Sequence, residues 1–153
     1  MITLDHEVSD FVLPSTGDKE FSLAANVGKN VVIYFYPKDD TPGCTIEGQD
    51  FRDHWQAFTE KNCVIVGVSR DSITSHGDFK GKMQFPFDLL SDEDEEICKL
   101  FDVIKMKNVY GKQVLGIERS TFVIDAQGIL RKEWRGVKVP GHVQKVLDFV
   151  STL

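Results

Sequence analysis

The chain has few cysteines and no long apolar stretch. Only three of its 153 residues are cysteine, and an odd number in a chain of this length does not favour the disulfide framework of a secreted domain. No segment approaches the roughly 20 apolar residues that a membrane-spanning helix requires. The first residues also lack the basic and apolar regions of a secretory signal. These absences predict a cytoplasmic protein that does not enter the membrane.

The signatures of several binding sites are missing as well. The four histidines are scattered singly, and none forms a Cys/His pair with the spacing of a zinc or iron site, so we expect no bound metal. There is no Gly-rich phosphate motif, and the lack of a Cys-x-x-Cys pair disfavours dithiol redox chemistry. The net charge of −6 makes nucleic acid and anionic membrane poor partners. No bound cofactor is expected.

What is present is the composition of an ordinary globular protein. Hydrophobic residues make up 41% of the chain and charged residues 27%, and a chain of this length can bury a core without disulfides. No internal repeat, low-complexity tract or linker interrupts it. Residues 1–153 are therefore predicted to form one domain.

Hydrophobic periodicity predicts an α/β fold. The apolar run Val31–Tyr36 is typical of a buried strand, a helix follows at about Pro42–Thr59, and Val64–Ser69 predicts a second strand parallel to the first. The other predicted elements are extended segments around Phe11–Leu13 and Phe21–Leu23, a helix at Asp71–Met83, a strand at Phe87–Leu90, a helix opened by a capping box at Ser91–Asp94, a long turn-rich loop at Lys105–Gly116, a hairpin of Ser120–Ile124 with Ile129–Trp134, and a C-terminal helix. Together they predict a central mixed sheet flanked by helices, with an N-terminal β-hairpin extension.

Cys44 is predicted to lie where the first buried strand turns into a helix. Thr41 is a good helix N-cap and Pro42 suits the first helical position, so Cys44 falls in the first turn. Unpaired backbone N–H groups and the positive end of the helix dipole favour the thiolate there, and the thiolate is the nucleophilic form of cysteine. A reactive cysteine is therefore preferred to a buried structural one.

Glu47 and Arg119 are the predicted companions of Cys44. Glu47 follows Cys44 by one helical turn, and an acid so close disfavours the thiolate unless a cation balances it. Arg119 stands just before the strand-like run Ser120–Ile124, where it can divide its donors between a carboxylate and a sulfur or peroxide oxygen. The alternative is an arginine that lies in solvent at a strand end.

A longer pattern surrounds these residues. The segment 34–45, which contains Pro37-x-x-x-Thr41-x-x-Cys44, resembles the active-site segment of the peroxiredoxins, specifically the bacterioferritin-comigratory or peroxiredoxin Q branch. Segments 11–14, 89–92 and 119–125 resemble further parts of that branch, in the expected order. The resemblance implies a thioredoxin-like fold and a thiol-dependent reduction of hydrogen peroxide and organic hydroperoxides.

The resemblance also implies roles for individual residues. The Cys44 thiolate attacks one peroxide oxygen and becomes a sulfenic acid. Pro37 shields the thiolate from water, and Glu47 orients Arg119. The donors expected to stabilise the charge that moves to the leaving oxygen are Arg119, the Thr41 hydroxyl and the backbone N–H groups of Gly43 and Cys44.

The chain departs from the family in its other cysteines. Many members of the branch carry a resolving cysteine five residues after the attacking one, where this chain has Gln49, and others place it in the next helix, where this chain has none. Cys63 is predicted to be a buried core residue and Cys98 a half-buried packing residue, with Cys98 the reserve candidate for resolution. We therefore predict that an external thiol such as thioredoxin, glutaredoxin or glutathione restores Cys44.

Two other functions on the same fold stay open. One is a redox sensor whose contact with a partner changes when Cys44 is oxidised, and the other is a thiol–disulfide oxidoreductase. Fast, stoichiometric loss of hydrogen peroxide in the presence of reduced protein would distinguish the peroxidase from both. A monomer or a weak dimer is expected.

Overall fold

A computed structural model describes all 153 residues as nine strands and four α-helices. The strands are β1 (Val12–Ser15), β2 (Lys19–Ser22), β3 (Asn30–Phe35), β4 (Cys63–Ser69), β5 (Asp88–Ser91), β6 (Ile104–Val109), β7 (Lys112–Ile117), β8 (Ser120–Ile124) and β9 (Leu130–Arg135). The helices are α1 (Pro42–Glu60), α2 (Ile73–Met83), α3 (Glu96–Leu100) and α4 (His142–Val150), and a short 3₁₀ helix covers Ala24–Asn26.

Seven of the strands form one mixed sheet in the order β2-β1-β5-β4-β3-β8-β9. The strands β3, β4 and β5 are parallel, whereas β8 pairs antiparallel with β3 and β9 antiparallel with β8. The β1–β2 hairpin joins the sheet where Ser15 pairs with Leu90 of β5. The predicted mixed sheet and N-terminal hairpin are therefore confirmed.

Alternating residues of β3 supply both faces of the sheet with apolar side chains. Ile33 and Phe35 belong to one core layer, which also contains Phe101, while Val32 and Tyr34 belong to the other, beneath α1 and α4. All four β3 side chains are essentially inaccessible to solvent. Burial of each contributes roughly 1.5–3 kcal/mol, and together they fix the strand from which α1 begins.

The segment Lys105–Gly116 is a β-hairpin, so the prediction of a long loop was wrong. Strands β6 and β7 pair in register from Ile104 opposite Ile117 to Val109 opposite Lys112. Tyr110 and Gly111 connect them, both with positive φ (50° and 79°), as a two-residue type I′ turn requires. Tyrosine is an unusual residue at such a position, and this is why the turn signal was weak.

Two helix starts also differ from prediction. Helix α2 begins at Ile73 rather than Asp71, and the Ser72 hydroxyl caps it by accepting the N–H of Ser75. Helix α3 has no capping box, because its N-cap residue Glu95 makes no side-chain cap and has a left-handed backbone. The Asp92 carboxylate instead accepts the N–H groups of Ile97 and Cys98. None of the helices is both long enough and apolar enough to span a membrane.

Candidate active site

Cys44 lies in the first turn of α1, directly beyond the end of β3, as predicted. Its side chain is only 2% exposed. The first N–H group bonded inside the helix is that of Thr45, which donates to the Thr41 carbonyl at 2.8 Å. The N–H groups of Gly43 and Cys44 precede that bond and are free to meet an anion at the helix start.

Thr41 occupies the N-cap position, but its side chain does not cap the helix. The Thr41 hydroxyl instead donates to the Lys38 carbonyl at 2.8 Å. The prediction of Thr41 as the N-cap residue is therefore confirmed, although no side-chain cap bond accompanies it. The bond to Lys38 uses the hydroxyl hydrogen and leaves the oxygen as an acceptor, so Thr41 must rotate its hydroxyl before it can donate to a substrate.

Arg119 connects Glu47 to Cys44. Its Nη1 donates to Glu47 Oε1 at 2.6 Å and its Nη2 to Cys44 Sγ at 3.5 Å. The arginine side chain is 16% exposed and the glutamate side chain fully buried. The alternative of a solvated arginine at a strand end is therefore ruled out. The planar guanidinium makes both contacts at once, which a lysine ammonium on a flexible chain would not do in a fixed geometry.

Burial and charge act in opposite directions on the Glu47–Arg119 pair. Burial raises the pKa of Glu47 to about 7, against the charge and hydrogen bond of Arg119. Burial lowers the pKa of Arg119, but the negative charges of Glu47 and Cys44 outweigh it and the net shift is upward. The second carboxylate oxygen of Glu47, Oε2, has no hydrogen-bond partner. Arg119 is therefore the group that holds this carboxylate in the interior.

Two glycines leave room for the site. A Cβ at Gly43 would lie 3.0 Å from Arg119 Nη2, so a side chain there would press on the guanidinium beside Cys44. A Cβ at Gly48 would lie 2.3 Å from the ring of Phe85, which is buried and stacked on Phe87. Gly48 thus permits α1 to approach the aromatic layer beneath it.

Pro37 lies half-buried in the loop between β3 and α1. The same loop contains Thr41 and leads directly into the helix of Cys44. The shielding role of Pro37 remains a prediction.

The other two cysteines are far from Cys44. Cys63 follows the opposite end of α1, which at 1.5 Å per residue lies roughly 24 Å away. Cys98 belongs to the core layer on the other face of the sheet and is completely buried rather than half-buried as predicted. Burial raises the pKa of Cys63 to about 12, and burial together with Asp92 raises the pKa of Cys98. Gln49, at the habitual resolving position, contacts Met83.

One cluster has the spacing of a metal site but not the free atoms. Ligand atoms of Asp39, Asp71 and His76 lie within 4.8 Å of one another. His76 Nδ1 is 2.7 Å from an Asp39 oxygen and Nε2 is 2.8 Å from the Leu90 carbonyl. Both ring nitrogens are thus already engaged, so a metal ion at this cluster would have to displace one of these two contacts.

Two further residues interact electrostatically with Cys44 without having been given a role from the sequence. Tyr34 is buried, and the charges of Glu47 and Cys44 reinforce the rise that burial causes in its pKa. Lys107, on β6, packs its side-chain carbons over Gly116. Burial and the charge of Arg119 lower the pKa of Lys107, while Cys44 opposes that change. Lys107 was missed because the β6–β7 hairpin was predicted to be a loop.

The unit β3–α1–β4, with β8 antiparallel beside β3, is the core of a thioredoxin-like fold. Cys44, Glu47 and Arg119 meet at the start of α1, and this group of side chains defines the peroxiredoxin class of thiol peroxidases. The chain belongs to the AhpC/TSA family, whose profile matches residues 4–133. It is 53% identical over 138 residues to Peroxiredoxin Bcp of Xanthomonas campestris, covering 90% of this chain and 86% of that one. It is 48% identical over 152 residues to Peroxiredoxin Bcp of Bacillus subtilis, covering 99% and 97%.

Solved structures show the same similarity in three dimensions. A cysteine-to-serine variant of Xylella fastidiosa PrxQ superposes with a TM-score of 0.94 at 40% identity, covering 99% of this chain and 97% of that one. The bacterioferritin comigratory protein of X. campestris, studied for its reduction of alkyl peroxides, superposes with a TM-score of 0.89 at 50% identity, covering 93% and 90%. The thioredoxin-like fold and the peroxiredoxin class are thereby confirmed.

Proposed function

We propose that Cys44 is the peroxidatic cysteine of this peroxidase and that Arg119 is its principal electrostatic partner. The observation that supports this most directly is the guanidinium of Arg119, which contacts both the buried Glu47 carboxylate and the Cys44 sulfur. A cation held this way stabilises a thiolate before reaction and a developing oxyanion during it.

The proposed reaction begins with attack of the Cys44 thiolate on one oxygen of a hydroperoxide. The S–O bond forms as the O–O bond breaks, the sulfur is oxidised to sulfenic acid, and the other oxygen leaves as alkoxide or hydroxide and takes a proton. In this proposal the leaving charge is received by Arg119, which contacts the Cys44 sulfur, and by the N–H groups of Gly43 and Cys44. In this scheme Pro37 limits the access of water and Thr41 positions the peroxide after its hydroxyl rotates.

An external thiol is the proposed reductant. Neither Cys63 nor Cys98 can come within the roughly 7 Å between Cα atoms that a disulfide requires unless the fold opens. A thiolate donor attacks the sulfenic sulfur, releases water and leaves a mixed disulfide, which a second thiol reduces. The proposed donors are thioredoxin, glutaredoxin or a small thiol such as glutathione.

The proposed setting is the cytoplasm, with the chain acting as a monomer. The related X. campestris protein is described as reducing alkyl peroxides, and we propose that this chain accepts both hydrogen peroxide and organic hydroperoxides. Kinetic comparison of hydrogen peroxide with an alkyl hydroperoxide under the same thiol donor will establish its preference.

Single-turnover oxidation tests the assignment of Cys44. Reduced protein mixed with one equivalent of hydrogen peroxide should gain one oxygen atom by intact mass spectrometry, and dimedone should label Cys44. Cys44→Ser should abolish both results and leave the fold intact, whereas the matched control Cys63→Ser should keep most of the activity. Peroxide turnover by Cys44→Ser at the wild-type rate would contradict the proposal.

A further inference from the structure

The loop that precedes the reactive helix is held by one buried carboxylate. We call residues 37–41 the Pro37 loop, and Asp39 lies at its centre, only 7% exposed. One oxygen of Asp39 accepts the Tyr36 hydroxyl at 2.6 Å, and the other accepts the Ser75 hydroxyl and His76 Nδ1, each at 2.7 Å. These hydrogen bonds join the Pro37 loop to the start of α2. The only other polar contact between the loop and α2 is the exposed ion pair of Lys82 with Asp40.

The backbone of the Pro37 loop is attached at the same place. The N–H of Asp39 donates to Asp71 Oδ2 at 2.9 Å, and that oxygen also accepts the Ser69 hydroxyl. The next residue, Asp40, has a positive φ of 57°, a conformation that costs a non-glycine residue about 1 kcal/mol or more. Contacts to the loop, rather than its own preference, therefore maintain this shape.

Both nitrogens of the His76 ring are engaged in this arrangement. The ring is inaccessible to solvent, and Nε2 donates to the Leu90 carbonyl at 2.8 Å, because a carbonyl can only accept a hydrogen bond. Nδ1 faces the Asp39 carboxylate. Burial raises the pKa of Asp39, but the hydrogen bonds from His76 and Tyr36 outweigh it, so that pKa is lowered. The charged or titratable groups facing the ring are Asp39, Asp71 and the Tyr36 hydroxyl.

We propose that His76 is a positioning residue of peroxide reduction: bonded to Asp39 through one ring nitrogen and to Leu90 of β5 through the other, it fixes the Pro37 loop and thus the placement of Pro37 and Thr41 at the start of the Cys44 helix. The inference rests on the proposed function of Cys44. His76 does not touch the substrate; it acts through Asp39. The opposite view is that His76 merely stabilises α2.

A matched pair of amide substitutions separates the two hydrogen bonds of His76. In His76→Asn the amide nitrogen takes the place of Nδ1 and keeps a donor for Asp39. In His76→Gln the longer side chain carries its amide nitrogen to the place of Nε2 and keeps only the donor for Leu90. Both variants replace the ring with a smaller, uncharged amide, so the difference between their rates reports on the bond to the loop.

The measured quantities are the second-order rate constant for oxidation of reduced protein by hydrogen peroxide and the rate of reaction of the preformed sulfenic acid with a small thiol. We expect His76→Gln to slow the peroxide step by about tenfold, the effect of one hydrogen bond to a charged group, and His76→Asn to slow it distinctly less. The thiol step should not fall in either variant, because the proposed scheme gives Pro37 and Thr41 a role only in the peroxide step. A loss of stability alone would not slow the peroxide step while leaving the thiol step unchanged.

Two further measurements keep the proposal testable if a His76 variant does not fold. Ser75→Ala removes another donor from the same Asp39 oxygen at the half-buried start of α2, and we expect it to slow the peroxide step by about threefold. In wild-type protein, ¹⁵N NMR of the His76 ring should show hydrogen on Nε2, the nitrogen that faces the Leu90 carbonyl.

Equal losses in the two amide variants with a parallel fall in the thiol step would overturn the proposal, as would a His76 ring without hydrogen on Nε2 or a Ser75→Ala variant with the wild-type peroxide rate. Failure of wild-type protein to consume peroxide would overturn the proposed function instead, and the NMR result for His76 would be unaffected by that failure.

Discussion

At the residue scale, the surroundings of Cys44 combine a group from its own helix with one that is distant in the chain. Glu47 is within the same helix and fully buried, and Arg119 meets its carboxylate at 2.6 Å. Removal of one partner of a buried ion pair leaves the other uncompensated, which costs several kcal/mol more than an exposed pair would. Arg119 is therefore expected to matter both for the rate of the peroxide step and for stability.

Replacement of Arg119 by methionine should slow oxidation of Cys44 by about a hundredfold, because it removes a cation from the reacting sulfur and from the leaving oxygen. Stopped-flow measurement of the second-order rate constant with hydrogen peroxide checks this. Arg131→Met is the matched control, since Arg131 is 45% exposed and pairs only with Asp5 and Asp125. If Arg119→Met reacted with hydrogen peroxide at the rate of the Arg131→Met control, Arg119 would have no role in the peroxide step.

At the element scale, helix α1 determines where the site lies. Its N-terminal turn carries Cys44, and its buried residues Phe51 and Phe58 pack on the sheet between that turn and the far end. The approach of α1 to the sheet is set by Gly48, whose missing side chain admits the ring of Phe85. A change in this contact would shift the helix and with it Cys44.

Replacement of Gly48 by alanine should destabilise the protein by about 1–3 kcal/mol, because the new Cβ overlaps a buried ring that has no free space to move into. Gly81→Ala is the matched control on α2, where a new Cβ meets nothing within 4 Å. That control should be neutral or stabilising by up to about 1 kcal/mol, since alanine favours a helix over glycine. Urea unfolding of both variants gives the free energies, and equal effects would show that α1 adjusts freely.

At the scale of the whole molecule, stability and the fate of the oxidised cysteine both depend on how the two core layers are separated by the sheet. The layer beneath α1 holds Cys44 and Cys63, and the opposite layer holds Cys98. We predict that the 153 residues unfold as one domain, in a single transition.

The free energy of unfolding should depend on pH through Glu47. Its pKa is about 7 in the folded protein and 4.5 in its ordinary state, so between those values the folded state binds more protons than the unfolded state. The contribution of Glu47 to the free energy of unfolding is fully present below about pH 4.5. It is lost as the pH rises through 7, and the loss is at most about 3 kcal/mol. Urea unfolding at pH 5 and pH 8 should show a smaller difference in Glu47→Gln than in wild type, and an identical pH dependence would contradict the pKa direction.

The paired change Cys63→Ala and Cys98→Ala should leave the peroxide step unchanged and should not alter the yield of Cys44 sulfenic acid. Alanine is chosen because it brings no hydroxyl group into these two buried positions. Non-reducing peptide mapping of oxidised wild-type protein is the complementary measurement. A stoichiometric Cys44–Cys98 link after one equivalent of peroxide would mean that the fold opens during resolution, contrary to the one-cysteine prediction.

Short-range patterns in the sequence were sufficient for the unit β3–α1–β4 and for the position of Cys44. An apolar run, a Thr-Pro helix start and a second apolar run act within a few residues of chain, so the local physics of strands and helix termini determines them. Cys63 as a core residue was predicted in the same way. The spacing of Glu47 from Cys44 and the need for a balancing cation then indicated Glu47 and Arg119 as companions of Cys44, and the family resemblance implied their roles.

Only the tertiary structure decided which distant groups meet. The antiparallel register that places Ser120 opposite Phe35 brings Arg119 to the end of β3, 72 residues from Glu47. The same packing brings His76 to Asp39 across 37 residues and turns the expected loop at Lys105–Gly116 into a hairpin that carries Lys107 toward the site. Such pairings depend on strand register and on burial summed over the whole sheet, and no local pattern in the chain specifies either.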